Sequence, residues 1–88
     1  MQYELITLID PKLTEKEAQE KITVLLKDDF KVEKVEVLGK KMLAYPVRKK
    51  QEALFFVFHL NSHKNPNDLI PKFKLEETIL RTLVLAKN

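Results

Sequence analysis

The residues of this chain whose types and spacing suit them best to chemistry are basic, and they lie close together. Residues 38–50 contain five lysine or arginine side chains and no acidic one: Lys40, Lys41, Arg48, Lys49 and Lys50. Such side chains neutralise phosphates, and contacts of this kind position a protein on a nucleic acid without reading base sequence. The cluster predicts a surface for a polyanion. The alternative interpretation is a solubilising hairpin whose lysines protect an edge strand from unwanted pairing.

The distribution of charge supports the first interpretation. Residues 31–50 carry seven basic and two acidic side chains, a net charge of +5, whereas the whole chain carries +3, so the remainder carries −2. A basic arm on a slightly acidic body is typical of a protein that meets a polyanion at one place.

Other kinds of chemistry are poorly represented. The chain has no cysteine, which excludes disulfides, thiolate metal sites and cysteine nucleophiles. Its one glycine, Gly39, cannot make a glycine-rich phosphate loop. His59 and His63 lack the flanking acids or the spacing of a zinc site or a catalytic triad. We therefore expect no enzyme, no cofactor and no metal.

The length of 88 residues predicts one domain, spanning residues 1–88. No apolar run approaches the ~20 residues that cross a bilayer, and the first residues do not have the pattern of a signal peptide. We expect a soluble, cytoplasmic protein without a membrane partner or a small-molecule substrate.

The hydrophobic pattern predicts the elements that must position the basic cluster. Strands are expected over residues 2–9, 31–47, 52–61 and 78–86, and helices from Thr14 to about residues 27–29 and over residues 66–74. Thr14 and Glu17 have the spacing of a capping box. Asn65 is a suitable cap for the second helix, in which Pro71 predicts an irregular first turn or a late start.

Residues 31–47 are unusually long for one strand. A straight strand of this length would span roughly 55 Å, so we expect it to bend at Gly39, to break, or to project beyond the body. Pro46 has no N–H to give a sheet and belongs at an edge, a bulge or a strand end. The expected result is a basic hairpin near residues 40–52 that projects from the body.

The order strand–helix–strand–strand–helix–strand is that of the ferredoxin-like split βαβ sandwich, an α+β fold. It has a four-stranded antiparallel sheet with both helices on one face. RNA-recognition motifs share this topology, but their basic residue and glycine before alternating aromatics are missing here. Phe55, Phe56 and Phe58 are therefore predicted to be core or protein-interface residues.

The basic stretch also resembles a known family. The run Leu38-Gly39-Lys40-Lys41-Met42-Leu43-Ala44-Tyr45-Pro46-Val47-Arg48-Lys49 is similar to the strand-and-hairpin signature of the bacterial small-subunit ribosomal protein six family. Weaker matches fall in the family's order along the rest of the chain: Tyr3-Glu4, Lys74-Leu75-Glu76, Ile79-Leu80-Arg81 and Leu83-Val84.

The resemblance implies a structural component of the small ribosomal subunit. It implies binding to small-subunit rRNA together with small-subunit ribosomal protein eighteen, as a heterodimer. Ala53 stands where the family usually has a glycine after the hairpin, which leaves the turn geometry open, and the family's frequent C-terminal extension is missing.

We predict two sets of contact residues on this basis. The first set consists of basic residues that bind RNA phosphates: Lys40, Lys41, Arg48, Lys49, Lys50 and, less centrally, Arg81. The second set lies on the long strand and meets the partner protein: Val35, Val37, Met42 and Tyr45.

Two other classes of function remain open from the sequence. One is a ferredoxin-like interaction or oligomerisation domain that associates through its sheet and does not bind RNA. The other is a small hydrolase of the acylphosphatase type, which would need a glycine-rich anion loop with an arginine, and the chain has no such loop.

Overall fold

A computed structural model describes residues 1–26, 30–47 and 49–87 of the chain. The elements in chain order are β1 (Gln2–Ile9), α1 (Glu15–Leu26), β2 (Lys31–Val47), β3 (Lys50–Asn61), a 3-10 turn (Pro66–Leu69), α2 (Ile70–Lys74) and β4 (Ile79–Lys87). The strands form one antiparallel sheet in the order β2-β3-β1-β4. The predicted ferredoxin-like architecture is confirmed.

The core lies between one face of the sheet and the two helices. On this face Leu5 pairs with Phe58, and Thr7 pairs with Phe56. The helices contribute the buried side chains Ala18, Ile22, Leu26 and Phe73. Burial of one large apolar side chain contributes roughly 1.5–3 kcal/mol, so this layer supplies the main driving force for the fold.

The start of α1 is fixed by the predicted capping box. Thr14 Oγ1 accepts from the Glu17 N–H at 3.1 Å, and Glu17 Oε1 accepts from the Thr14 N–H at 3.0 Å. These bonds satisfy two donors that the first helical turn leaves free. The helix runs to Leu26, and the predicted end at residues 27–29 lies outside the described residues.

The second helical segment is irregular, as Pro71 predicts. It opens with the 3-10 turn, where Asn65 Oδ1 accepts from the Asn67 N–H at 3.0 Å. The α-helical part then begins at Ile70, which places Pro71 in the first turn, where a missing N–H does little harm. Among the helices of the described residues, none is long and apolar enough to cross a membrane.

The other face of the sheet carries none of the helices in the described residues, and we call it the open face. The register places Ile6 opposite Val57 and Leu83, and Leu8 opposite Phe55 and Arg81, on this face. Phe56 and Phe58 are buried on the helix side, as predicted, whereas Phe55 is half-buried on the open face.

A row of polar side chains crosses all four strands at one end of the open face. Lys87 Nζ lies 3.0 Å from His59 Nδ1 and 3.3 Å from Glu4 Oε1. His59 Nε2 lies 3.4 Å from Glu36 Oε2, and Lys34 Nζ lies 3.6 Å from Glu36 Oε1. We call these five side chains the polar ladder.

Candidate nucleic-acid and partner-protein interface

The long strand β2 is curved and irregular. The molecule extends 35 Å along its longest principal axis, which is shorter than a straight strand of 17 residues would be. The pairing of β2 with β3 shifts register at three places, between Val32 and Lys34, between Val37 and Gly39, and between Met42 and Val47. Gly39 has φ of +85°, a conformation that residues with a Cβ rarely adopt. β2 therefore has an irregularity at Gly39 of the kind that bends and twists a strand.

The third irregularity contains the Leu-Ala-Tyr-Pro run. Met42 pairs with Glu52 and Val47 pairs with Lys50, so four residues of β2 face one residue of β3. Such a bulge suits Pro46, which cannot donate to the ladder of backbone hydrogen bonds. It also leaves the Tyr45 side chain 83% exposed. The tyrosine is thus available to a partner and contributes little to the core.

The hairpin reverses without a glycine. Val47 pairs with Lys50, and Lys49 between them has φ of +66°. Ala53 is fully buried in β3 opposite Lys41, three residues beyond the end of the turn. Ala53, which in the sequence stands where the family usually has a glycine, therefore takes no part in the hairpin turn. Arg48 lies outside the described residues.

Lys40 and Lys41 point to opposite faces of the sheet. Lys40 is opposite Leu54 on the helix side, and Lys41 is opposite Ala53 on the open face. Both lysines and Lys49 are exposed, and none of the three forms an ion pair with the described residues. Their ammonium groups are free to meet phosphates on either side of the hairpin.

Lys50 differs from the other predicted RNA-binding lysines. Its Nζ lies 3.6 Å from Asp10 Oδ2, whose side chain is only 7% exposed. The other oxygen of this carboxylate accepts from the Lys12 N–H at 3.0 Å. Lys50 therefore ties the base of the hairpin to the end of β1, and part of its charge is already neutralised. No local sequence signal marks this pair, because the two residues are distant in the chain.

Arg81 lies across the sheet from the hairpin lysines, at the same end of the strands. The register runs from Gly39 in β2 through Phe55 and Leu8 to Arg81 in β4. Three strand spacings separate the two edges, a distance of roughly 14 Å. Arg81 and Lys41 both face the open side, so the basic residues form a broad margin at one end of the sheet.

The predicted partner-contact residues differ in the exposed fraction of their side chains. Val35 packs against the core, whereas Val37 is 45% exposed and Met42 is 76% exposed. Both exposed side chains lie on the helix side of β2. Of the four predicted contact residues, Val37, Met42 and Tyr45 are therefore the exposed ones, and Val35 lies against the core.

The structure adds a residue to this surface that the sequence did not single out. Val37 lines a cleft of about 840 Å³ between β2 and α1, and Val24 of α1 lines it from the other side. Val24 is 60% exposed. The signal for it was present, because Val24 falls outside the inward stripe formed by Ala18, Ile22 and Leu26.

Two acidic side chains have pKa values that are lowered by their neighbours, and the first of them joins β2 to β3. The long contact of Glu36 with His59 Nε2, aided by the charge of Lys34, holds the pKa of the Glu36 carboxyl below its ordinary value of 4.5. Thr14 has the same effect on Glu17, because hydrogen bonds between the two residues lower the pKa of the Glu17 carboxyl.

Within the part of the chain that the structure describes, no group of three metal-ligating side chains comes together.

Comparisons with known proteins agree with the geometry. The sequence model of the family described as ribosomal protein S6 matches residues 2–86. The chain is 37% identical over 90 residues to the small ribosomal subunit protein bS6 of Saccharopolyspora erythraea, covering 97% of this chain and 76% of that protein. It is 38% identical over 91 residues to the protein of the same name from Corynebacterium aurimucosum, covering 98% of this chain and 95% of that protein.

A solved structure shows the same fold. The 30S ribosomal protein S6 of Thermotoga maritima superposes with a TM-score of 0.80, at 22% sequence identity, over 98% of this chain and 86% of that chain. At this level of identity the likeness concerns the fold, and the two bacterial relatives above carry the assignment to a family.

Proposed function

The chain belongs to the ribosomal protein S6 family, a family of the small ribosomal subunit, and from that premise we propose that it binds small-subunit rRNA as a heterodimer with small-subunit ribosomal protein eighteen. In this proposal residues 1–88 act as one domain in the cytoplasmic ribosome, and the hairpin near residues 40–52 carries the RNA contacts. The protein has a structural role and catalyses no reaction.

One observation carries the RNA-binding part of the proposal. Lys40, Lys41 and Lys49 are exposed on the β2–β3 hairpin, and no acid among the described residues neutralises them. Together with Arg48 they can displace counterions from several phosphates at once, which gives strong and salt-dependent binding. Lys50 is a weaker contributor because Asp10 already holds it, and Arg81 extends the basic margin across the sheet.

The partner protein is proposed to cover the apolar surface on the helix side of β2. Val37 and Met42 supply exposed apolar area, and Val24 extends it across the cleft to α1. Tyr45, exposed on the bulge, is well suited to an interface because it combines a large apolar ring with a hydroxyl.

The decisive test is the binding of an rRNA fragment as a function of salt, with and without the partner protein. Replacement of Lys40, Lys41 and Lys49 by Gln should lower the slope of log K against log salt by roughly two to three units. A control with Lys31, Lys64 and Lys72 replaced by Gln loses the same charge at a distance from the hairpin and should keep nearly the original slope.

An unchanged slope in the hairpin variant, with binding still dependent on the partner, would move the RNA surface away from the hairpin. Absence of RNA binding under every condition would favour the interaction domain that does not bind RNA.

The partner surface is tested separately. Replacement of Val37 and Met42 by Glu should abolish the heterodimer, because both side chains would bury a charge in the interface, and it should leave the fold intact because both are exposed. Sedimentation of the mixed proteins reports association, and circular dichroism reports folding. Association at the wild-type level would refute the proposed surface.

A further inference from the structure

The second edge of the sheet has features of a docking site beyond Arg81, the one residue there that the proposed function assigns to RNA. Over residues 80–87, β4 pairs with no strand of the described residues other than β1. Its register with β1 is unbroken from Gln2 and Lys87 to Leu8 and Arg81. The outer backbone groups of β4 therefore form a regular row, which is the template that an added strand requires.

Both sides of this edge offer places for the side chains of an added strand. On the helix side, a cleft of about 290 Å³ lies between α2 and β4, with Ile70, Phe73 and Ile79 among its lining residues. The hydroxyl of Thr82, which also lines this cleft, is buried and has no hydrogen-bond partner in the described part of the chain. On the open face, Leu83 is 51% exposed and Leu85 is 44% exposed.

The charges at this edge select the occupant. Lys74 lines the cleft, and Arg81, which the register places on the open face, borders the cleft at the same edge. Neither forms an ion pair with the described residues. The neighbouring acid Glu76 is held by Lys21, with a distance of 2.9 Å between Lys21 Nζ and Glu76 Oε2. A second copy of this chain would bring two sets of unpaired cations together, which is unfavourable. The edge is complementary to an acidic strand.

We propose that β4 and the cleft beside α2 bind an extended acidic segment of another protein. The segment adds as a fifth strand along β4, places an apolar side chain in the cleft, and directs carboxylates to Lys74 and Arg81. Main-chain hydrogen bonds supply affinity, and the cleft and the two cations supply selectivity.

The probe for this site is a nine-residue peptide of alternating leucine and glutamate, with blocked ends. Its control replaces every glutamate by lysine. Titration of the whole, isotopically labelled chain by NMR should give amide shifts confined to residues 70–74 and 79–87 with the acidic peptide. The basic peptide should bind at least about tenfold more weakly, because it faces the same cations.

Two substitutions locate the site. Lys74→Glu should weaken the acidic peptide by about threefold to tenfold, whereas Lys72→Glu, on the same helix but away from the cleft, makes the same change of charge and should have little effect. Leu83→Glu, on the open face beside the edge, should weaken the acidic peptide as well, because it places a like charge next to the added strand. The dispersion of the amide spectrum verifies that each variant is folded, and Leu85→Glu replaces Leu83→Glu if that variant is not.

Several results would overturn the proposal. They are equal binding of the two peptides, no binding of the acidic peptide at millimolar concentration, shifts that map to β2, or an equal effect of the substitutions at Lys72 and Lys74. Concentration-dependent self-association through β4 would instead assign this edge to a second copy. Displacement of the acidic peptide by an rRNA fragment that itself shifts residues 79–87 would assign it to RNA.

Discussion

The two edge strands of this sheet are built in opposite ways. β2 is long, shifts register three times and contains Gly39 and Pro46. β4 has nine residues, one register shift at its start, and neither glycine nor proline. An irregular edge with lysines resists pairing with another strand, whereas a regular edge invites it. One small sheet therefore offers side-chain charge at one edge and backbone hydrogen bonds at the other.

This difference shows what determines binding at the β2–β3 hairpin and what determines it at the β4 edge. Phosphate contacts on the β2–β3 hairpin need free cations in an exposed position, and regular strand pairing would add nothing to them. A peptide at β4 needs the regular row of backbone groups, and the cations beside β4 only determine that the preferred peptide is negatively charged. The following four experiments test this contrast, from the largest expected effect to the smallest.

The strongest way to break the contrast is to remove the irregularity at Gly39. Gly39→Ala should destabilise the protein by about 1–2 kcal/mol, because φ of +85° is unfavourable for a residue with a Cβ. Space is not the problem, since a Cβ would lie 3.7 Å from Glu15 Oε2, an ordinary contact. Urea unfolding measures the change, with Lys41→Ala in the same strand as control. Equal stability of wild type and Gly39→Ala would mean that β2 does not depend on this bend.

The second experiment releases the base of the hairpin. Lys50→Gln should cost about 1 kcal/mol of unfolding free energy, because among the described residues the nearly buried Asp10 carboxylate would keep only its bond from the Lys12 N–H. Lys40→Gln removes the same charge without breaking an ion pair and should change stability by less than about 0.5 kcal/mol. Thermal unfolding of both variants measures the stability that each one loses relative to the wild type. If they lose the same stability, Lys50 is as free as Lys40 and belongs fully to the RNA surface.

The third experiment separates stability from binding in the turn. Lys49→Gly should stabilise the protein by about 0.5 kcal/mol, because relief of the strain at φ of +66° is partly offset by the greater freedom of glycine in the unfolded chain. The same change should weaken rRNA binding, since one phosphate contact is lost. Chemical unfolding and RNA titration of the same sample test both effects. Loss of stability would show that the lysine side chain itself supports the turn.

The fourth experiment sharpens the contrast through pH. The pKa of Glu36 is lowered in the folded protein, so its contact with His59 contributes stability above pH 4.5 that is lost as the pH falls through the folded value. Stability of the wild type should therefore fall more steeply below pH 4.5 than that of Glu36→Gln. Glu33→Gln, on the same strand and without an ion pair among the described residues, is the matched control. Parallel pH profiles for all three proteins would show that the tie between β2 and β3 has no effect on stability.

Much of the fold follows from local sequence. The alternation over residues 2–9 ended by Asp10-Pro11 gave both ends of β1 correctly, and the spacing of Thr14 and Glu17 located the start of α1. Pro71 announced the irregular second helix. Each of these signals acts within a few residues, so it can be read without knowledge of the tertiary structure.

The candidate site was predictable only in part, because much of it depends on contacts between distant residues. The basic cluster is visible in the sequence, but the pairing of Lys50 with Asp10 and the cleft shared by Val24 and Val37 arise only when elements pack. The turn at Lys49 has none of the usual glycine or asparagine signals. Ala53, which seemed relevant to that turn, is a buried strand residue.

The polar ladder has a consequence for how the chain finds its native pairing. β1 and β3 are apolar on both faces over much of their length, so hydrophobic alternation alone discriminates weakly between the correct alignment of these strands and one slipped along the strand. Only the correct alignment places Glu4 and Lys87 beside His59, and Glu36 on its other side. The ladder thus favours the correct alignment during folding. A misaligned sheet would leave these charges unpaired on an otherwise apolar surface.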